Sequence, residues 1–202
     1  MRRIGHWLAS GMIALIMTAA CVAERQVTDP IAKASLSAAD QKAMNSFVNA
    51  AKAYLSIEHK APSQTQLKPT TDVAQLEERR SALRRFVVIA RPTAQQGDLF
   101  TAPVGDLIRK LMAQAMDGPD GSKVRRSLNN AEPAAAAEVA QIAVNREYPN
   151  QNGQPLQSAP ATLLQCLPVL PRGLEYRMVG RVLVLRDTEA NLIVDFLPDA
   201  YQ

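Results

Sequence analysis

The sequence predicts an α+β chain: N-terminal helices packed on a small C-terminal three-stranded antiparallel β-meander. Two observations carry this. Through the middle of the chain, apolar residues recur every three or four positions, the spacing of one helix face; after Leu174 the spacing drops to two, the spacing of a half-buried strand. Pro- and Gly-rich clusters separate the periodic stretches, and helices followed by strands argue for an α+β layout.

A first helix is expected over about 37–60. Ser37 to Asp40 reads as a capping box, with the carboxylate at the third helical position. Met44, Phe47, Val48, Ala51, Tyr54 and Leu55 form its apolar stripe, and Pro62 ends it. A polar linker follows. The second helix, about 72–91, starts at Thr71 or Asp72, with Val73, Leu76, Leu83, Val87 and Ala90 inward. Its outer face carries Glu77, Glu78, Arg79, Arg80, Arg84 and Arg85, a pattern that fits solvated helix charge pairs or, alternatively, contact with an anionic membrane surface.

The third helix is expected over about 102–117, after Thr101 and with Pro103 in its first turn. Val104, Leu107, Ile108, Leu111, Met112 and Ala115 mark its stripe. The turn Asp117 to Gly121 holds two carboxylates but lacks the ligand spacing of a calcium loop. A fourth helix follows at about 121–131, with Val124 and Leu128 inward. Pro133 to Ala143 is Ala-rich enough for helix, Tyr148 to Pro160 reads as a loop, and Pro160 to Leu167 as a short helix stopped by Pro168 and Pro171.

The meander is expected over about 174–197. Folding the chain at Gly180-Arg181 sets Met178 opposite Leu183 and Tyr176 opposite Leu185. The same register sets Glu175 opposite Arg186 on the other face, so apolar and charged pairs agree on one alignment. Asn191 suits a left-handed position in the second turn. Leu192, Val194 and Phe196 alternate as the inner face of the third strand, which places Val184 on the outer face of the sheet.

The N-terminus carries the marks of export. Arg2 and Arg3 precede an apolar run from Trp7 to Ala20, and small residues close it, the order found in a secretory signal peptide. The run falls short of the roughly 20 apolar residues of a bilayer span. Ala20-Cys21 resembles a bacterial lipobox, with Thr18 where that pattern prefers Leu, and the resemblance implies a lipidated Cys21. Ordinary cleavage after Ala20 or Ala23 is the alternative. The expected organisation is a signal peptide over 1–20, a tether over 21–35 and a single domain over 36–202. The expected address is the periplasm or the outer membrane, or release from the cell.

Composition narrows the function. The chain holds 23 Lys and Arg against 19 Asp and Glu, and Arg2 and Arg3 would leave with the signal. The remaining near balance argues against nucleic acid as a partner. Aromatic residues make up only 4%, too few for base-stacking platforms. With Cys21 at the terminus, Cys166 stands alone and no disulfide framework is available.

The segment Leu170-Pro171-Arg172-Gly173-Leu174-Glu175-Tyr176-Arg177-Met178-Val179-Gly180-Arg181, with Leu183 to Asp187 and Ala190 to Pro198, resembles the tail of a group of uncharacterised secreted bacterial proteins. Gln96 to Phe100 and Gly118 to Gly121 resemble the middle of the same group. The tail is also similar, over about 30 residues, to the meander of periplasmic proteins linked to nickel and cobalt homeostasis. Neither resemblance implies catalytic residues.

Motifs for nucleotide cradles and zinc proteases are absent from the sequence. His59 lies between Glu58 and Lys60 and reads as a surface residue, and with Cys166 it gives too few soft ligands for a structural metal. No cofactor or metal is expected. Glu175, Arg177, Arg186 and Asp195 are read as a surface charge network. The expected function is that of a non-catalytic envelope protein binding a protein partner or an envelope component, touching the membrane only through its lipid. The alternative is a carboxylate-dependent hydrolase, which would require Glu175, Asp187 and Asp195 to converge in one pocket.

Overall fold

A computed structural model of the chain describes residues 36–130, 139–151, 154–155 and 160–201. The signal peptide, Cys21 and the tether lie outside the described residues, as does most of the Ala-rich stretch from Pro133. Four helices, α1 (Ala38–Glu58), α2 (Val73–Ala90), α3 (Ala102–Asp117) and α4 (Gly121–Asn130), precede two short strands, β1 (Asn150–Gln151) and β2 (Gln154–Pro155). A one-turn helix α5 (Ala161–Leu164) leads into the antiparallel sheet β3 (Leu174–Val179), β4 (Val182–Asp187) and β5 (Leu192–Leu197), in the order β3-β4-β5. This is the α+β arrangement expected.

The helix starts follow from side-chain chemistry. The Ser37 hydroxyl accepts from Asp40 N at 3.1 Å, and the Asp40 carboxylate accepts from Ser37 N at 3.2 Å, which pairs two amides that the helix itself leaves open. Asp72 caps α2 by accepting from Ala74 N and Gln75 N. Gly121 is required where α3 turns into α4: a Cβ there would stand 1.7 Å from the Met116 carbonyl oxygen.

The sheet has the expected register, with Glu175 across from Arg186, Tyr176 from Leu185 and Met178 from Leu183. Gly180, at φ 55°, takes the left-handed position of the two-residue turn, and Asn191 takes its own at φ 50°. Leu174, Tyr176, Met178, Leu183, Leu185 and Val194 face the helices in one apolar core. Phe47 of α1 stacks between Phe100 and Tyr176, with ring centroids at 5.3 and 6.3 Å, and so ties helix, loop and sheet together.

Four expectations are corrected. Phe196 lies on the far face of the sheet, because a bulge in the β4–β5 pairing puts both Val194 and Asp195 on the helix face and inverts the alternation beyond them. That far face is not open: Val179, Val182, Val184 and Ile193 are buried there under Ile142 and Tyr148. The 139–151 segment supplies the cover and also bonds the outer edge of β5, through Asn145 N to Ile193 O, Ile193 N to Arg146 O and Tyr148 N to Asn191 O. Tyr148 to Pro160 is therefore not wholly loop, since Asn150 pairs with Pro155 and Gln151 with Gln154. On α2 only Leu83 and Val87 are buried, while Val73 is 79% exposed and Ala90 is also exposed.

The arginines of α2 explain how so narrow an apolar stripe holds the helix. Arg80 Nε donates to Glu189 O at 3.3 Å and Arg84 Nη1 to Ala190 O at 3.1 Å, and both pair with Glu77. Their charged heads cap the carbonyls of the turn from largely buried side chains.

Candidate functional site

The carboxylates of the meander divide among three places. Glu175 lies on the far face of the sheet, bonded bidentately by Arg177 at 2.7 and 2.8 Å and also by Arg186. Burial works to raise its pKa, but the two guanidinium groups outweigh burial and hold it below the usual carboxylate value. Arg186 bonds Asn191 Oδ1 at 2.8 Å and lies over the Tyr148 ring at 5.2 Å.

Asp195 does not join that group. The bulge turns it inward, where it is fully buried and gathers four backbone N–H groups: Gly97 at 2.9 Å, Leu99 at 2.8 Å, Phe100 at 2.7 Å and Phe196 at 2.8 Å. It pins the loop between α2 and α3, with Gly97 at φ 92° allowing the tight approach. Burial pushes its carboxyl above the ordinary value, and the N–H donors oppose that rise.

Asp187, at the end of β4, is also fully buried and faces α1. It accepts from Tyr54 Oη at 2.6 Å, from Glu189 N at 2.8 Å and from Ala190 N at 2.9 Å. Burial raises its pKa against those donors, and the Glu189 charge adds to the rise. Glu175 thus lies on the opposite face of the sheet from Asp187 and Asp195, and each of the three is bonded to a different set of partners.

A different carboxylate gathers beside Asp187. Glu58, one helical turn beyond Tyr54 on the buried side of α1, is only 6% exposed, and its Oε2 is buried without a hydrogen-bond partner. Burial, then the charges of Asp187 and Glu189 and a hydrogen bond shared with the Glu189 side chain, push its carboxyl up to about 8. Its place in the last turn of a helix compounds this, since the carbonyl end of the helix disfavours an anion. Glu58 and Glu189 line a cleft of about 320 Å³ together with His59, Gln66, Leu67 and Leu83. Three stretches build it: the end of α1, the linker after Pro62 and the β4–β5 turn, with Leu83 of α2 closing one side.

Two other sequence candidates fall elsewhere. His59 is exposed at the rim of this cleft. Cys166 is half-buried, bonds Leu163 O at 2.9 Å, and its thiol is pushed up to about 11 by burial, the reverse of an activated thiolate. Among the described residues no group of three or more His, Cys, Asp or Glu is placed to hold a metal, and no helix is long and apolar enough to cross a membrane.

Glu58 and Glu189 went unread in the sequence. Glu58 had a signal: it continues the buried series Phe47, Ala51, Tyr54 at the next helical position, where a charged residue is out of place. No protein-family model, no curated protein and no solved structure matches the chain.

Proposed function

We propose that the protein is a non-catalytic, exported envelope protein that binds a protein partner or an envelope component, anchored through a lipid on Cys21 or free in the periplasm. The observation that best supports this reading is the use made of the meander's carboxylates. Asp187 and Asp195 each hold a turn or loop in place through backbone N–H bonds, and Glu175 is neutralised by two arginines, so all three serve architecture at separate points. The order of charge, apolar run and Ala20-Cys21 at the N-terminus supports export.

Mass spectrometry of the protein isolated from its native envelope fraction tests the proposal. A first residue of Cys21 carrying acyl chains is the expected result. An unmodified terminus at Cys21 or Glu24 removes the anchor, and recovery of an uncleaved chain with the cytoplasm removes export altogether.

A further inference from the structure

We infer that the cleft between α1 and the β4–β5 turn is a binding site for an aliphatic cation, an alkyl-guanidinium or alkyl-ammonium group such as the side chain of Arg or Lys on a partner, with the head received by Glu58 and Glu189. This rests on the binding-protein reading above and names the chemistry of its partner. Two independent features point to such a ligand. The first is composition: half-buried Leu67 offers apolar surface to a methylene stem above the buried Leu83, and the two interacting carboxylates line the same cleft. The second is the unpartnered Glu58 Oε2, an acceptor more than nine-tenths buried in a residue lining the cleft.

The charges around Glu58 favour a cation. Asp187 and Glu189 approach it from the β4–β5 turn, and the carbonyl end of α1 adds negative potential. Tyr54 Oη donates its hydrogen bond to Asp187 and not to Glu58. No nearby cation bonds Glu58 Oε2: Arg80 bonds Glu77 and the Glu189 carbonyl, and Arg91 lies over the Tyr54 ring and reaches toward Val194 O, with its own Nη1 buried and without a partner. His59 and Gln66 line the rim.

Without a ligand, Glu58 keeps its proton near neutral pH. An incoming cation displaces that proton, so binding and proton release are linked. With the Glu58 carboxyl at about 8, affinity should fall about tenfold between pH 9 and pH 7, the ratio of its ionised fractions.

The test is NMR titration of the full mature chain with N-acetyl-arginine amide, which keeps its charge throughout this range, with N-acetyl-citrulline amide as the uncharged isostere and putrescine as a free diamine. The arginine probe should shift Glu58, Leu67 and Leu83 resonances saturably, and about tenfold more tightly at pH 9. Citrulline should not. Glu58→Gln, which mimics the protonated carboxyl and is checked for folding by its amide spectrum, should flatten the pH dependence. Putrescine binding more tightly than the arginine probe would assign the site to a free amine in place of a protein side chain. Equal binding of arginine and citrulline, or an unchanged pH dependence in folded Glu58→Gln, overturns the inference. Those outcomes leave export and lipidation untouched, because mass spectrometry of the terminus reads them separately.

Discussion

At the scale of single residues, the buried Asp195 does different work from the surface network the sequence assigned to it, while Asp187 bonds the backbone of its own turn. Asp195 was legible as a strand carboxylate, but its environment was not. Only the bulge beside Leu185 and Arg186 turns it toward the helices, and a bulge leaves no mark in an alternating pattern. Its four N–H partners make a specific expectation. Asp195→Ala strands the buried amides of Leu99 and Phe100 and the half-buried amide of Gly97, at a cost of about 3 kcal/mol. Urea denaturation measures it, and faster amide exchange at Leu99 and Phe100 should accompany the loss. A cost below about 0.5 kcal/mol, the range of ordinary surface changes, would mean that the loop is held by its apolar residues alone. Tyr54→Phe removes the hydroxyl from Asp187 while keeping the ring. It leaves a buried carboxylate short of one donor and should cost about 1–3 kcal/mol by the same measurement.

At the scale of elements, the helices and the hairpin were readable because each is specified by local chemistry. Capping residues, Pro62 and the 3.6-residue stripe fix α1, and one register at Gly180-Arg181 satisfies apolar and charged pairs together. What covers the far face of the sheet was not readable. Ile142 and Tyr148 come from a stretch with no periodicity, and their packing is decided by tertiary contact alone. The sheet is consequently buried on both sides. Leu185→Ala should cost about 2–5 kcal/mol through its cavity. Val184→Thr, on the face that the sequence reads as outer, places a hydroxyl in a fully buried apolar cluster and should itself cost about 1–3 kcal/mol. Chemical denaturation of the two variants separates the cases: a Val184→Thr midpoint equal to wild type would show the far face to be open to water.

At the scale of the whole molecule, the chain concentrates its unusual acid where the first helix meets the last turn. The sequence hides this, since Glu58 and Glu189 are 131 positions apart and only the fold makes them neighbours. Glu58 gives the fold a pH dependence of definite sign. Its native pKa of about 8 lies above the unfolded value of 4.5, so between these limits the native state keeps a proton that the unfolded chain has lost. The resulting stability is fully present below pH 4.5 and drains away as pH rises toward 8, by on the order of a few kcal/mol. Burial of Asp187 and Asp195 acts in the same direction, and both remain in a Glu58 variant. The deciding measurement is therefore urea denaturation at pH 5.5 and pH 8.5 for wild type and Glu58→Gln. The wild type should lose stability across that interval by at least about 1 kcal/mol more than the variant. Equal losses in the two proteins would mean that Glu58 ionises as an ordinary surface carboxylate and that the acid cleft is not what the fold makes it.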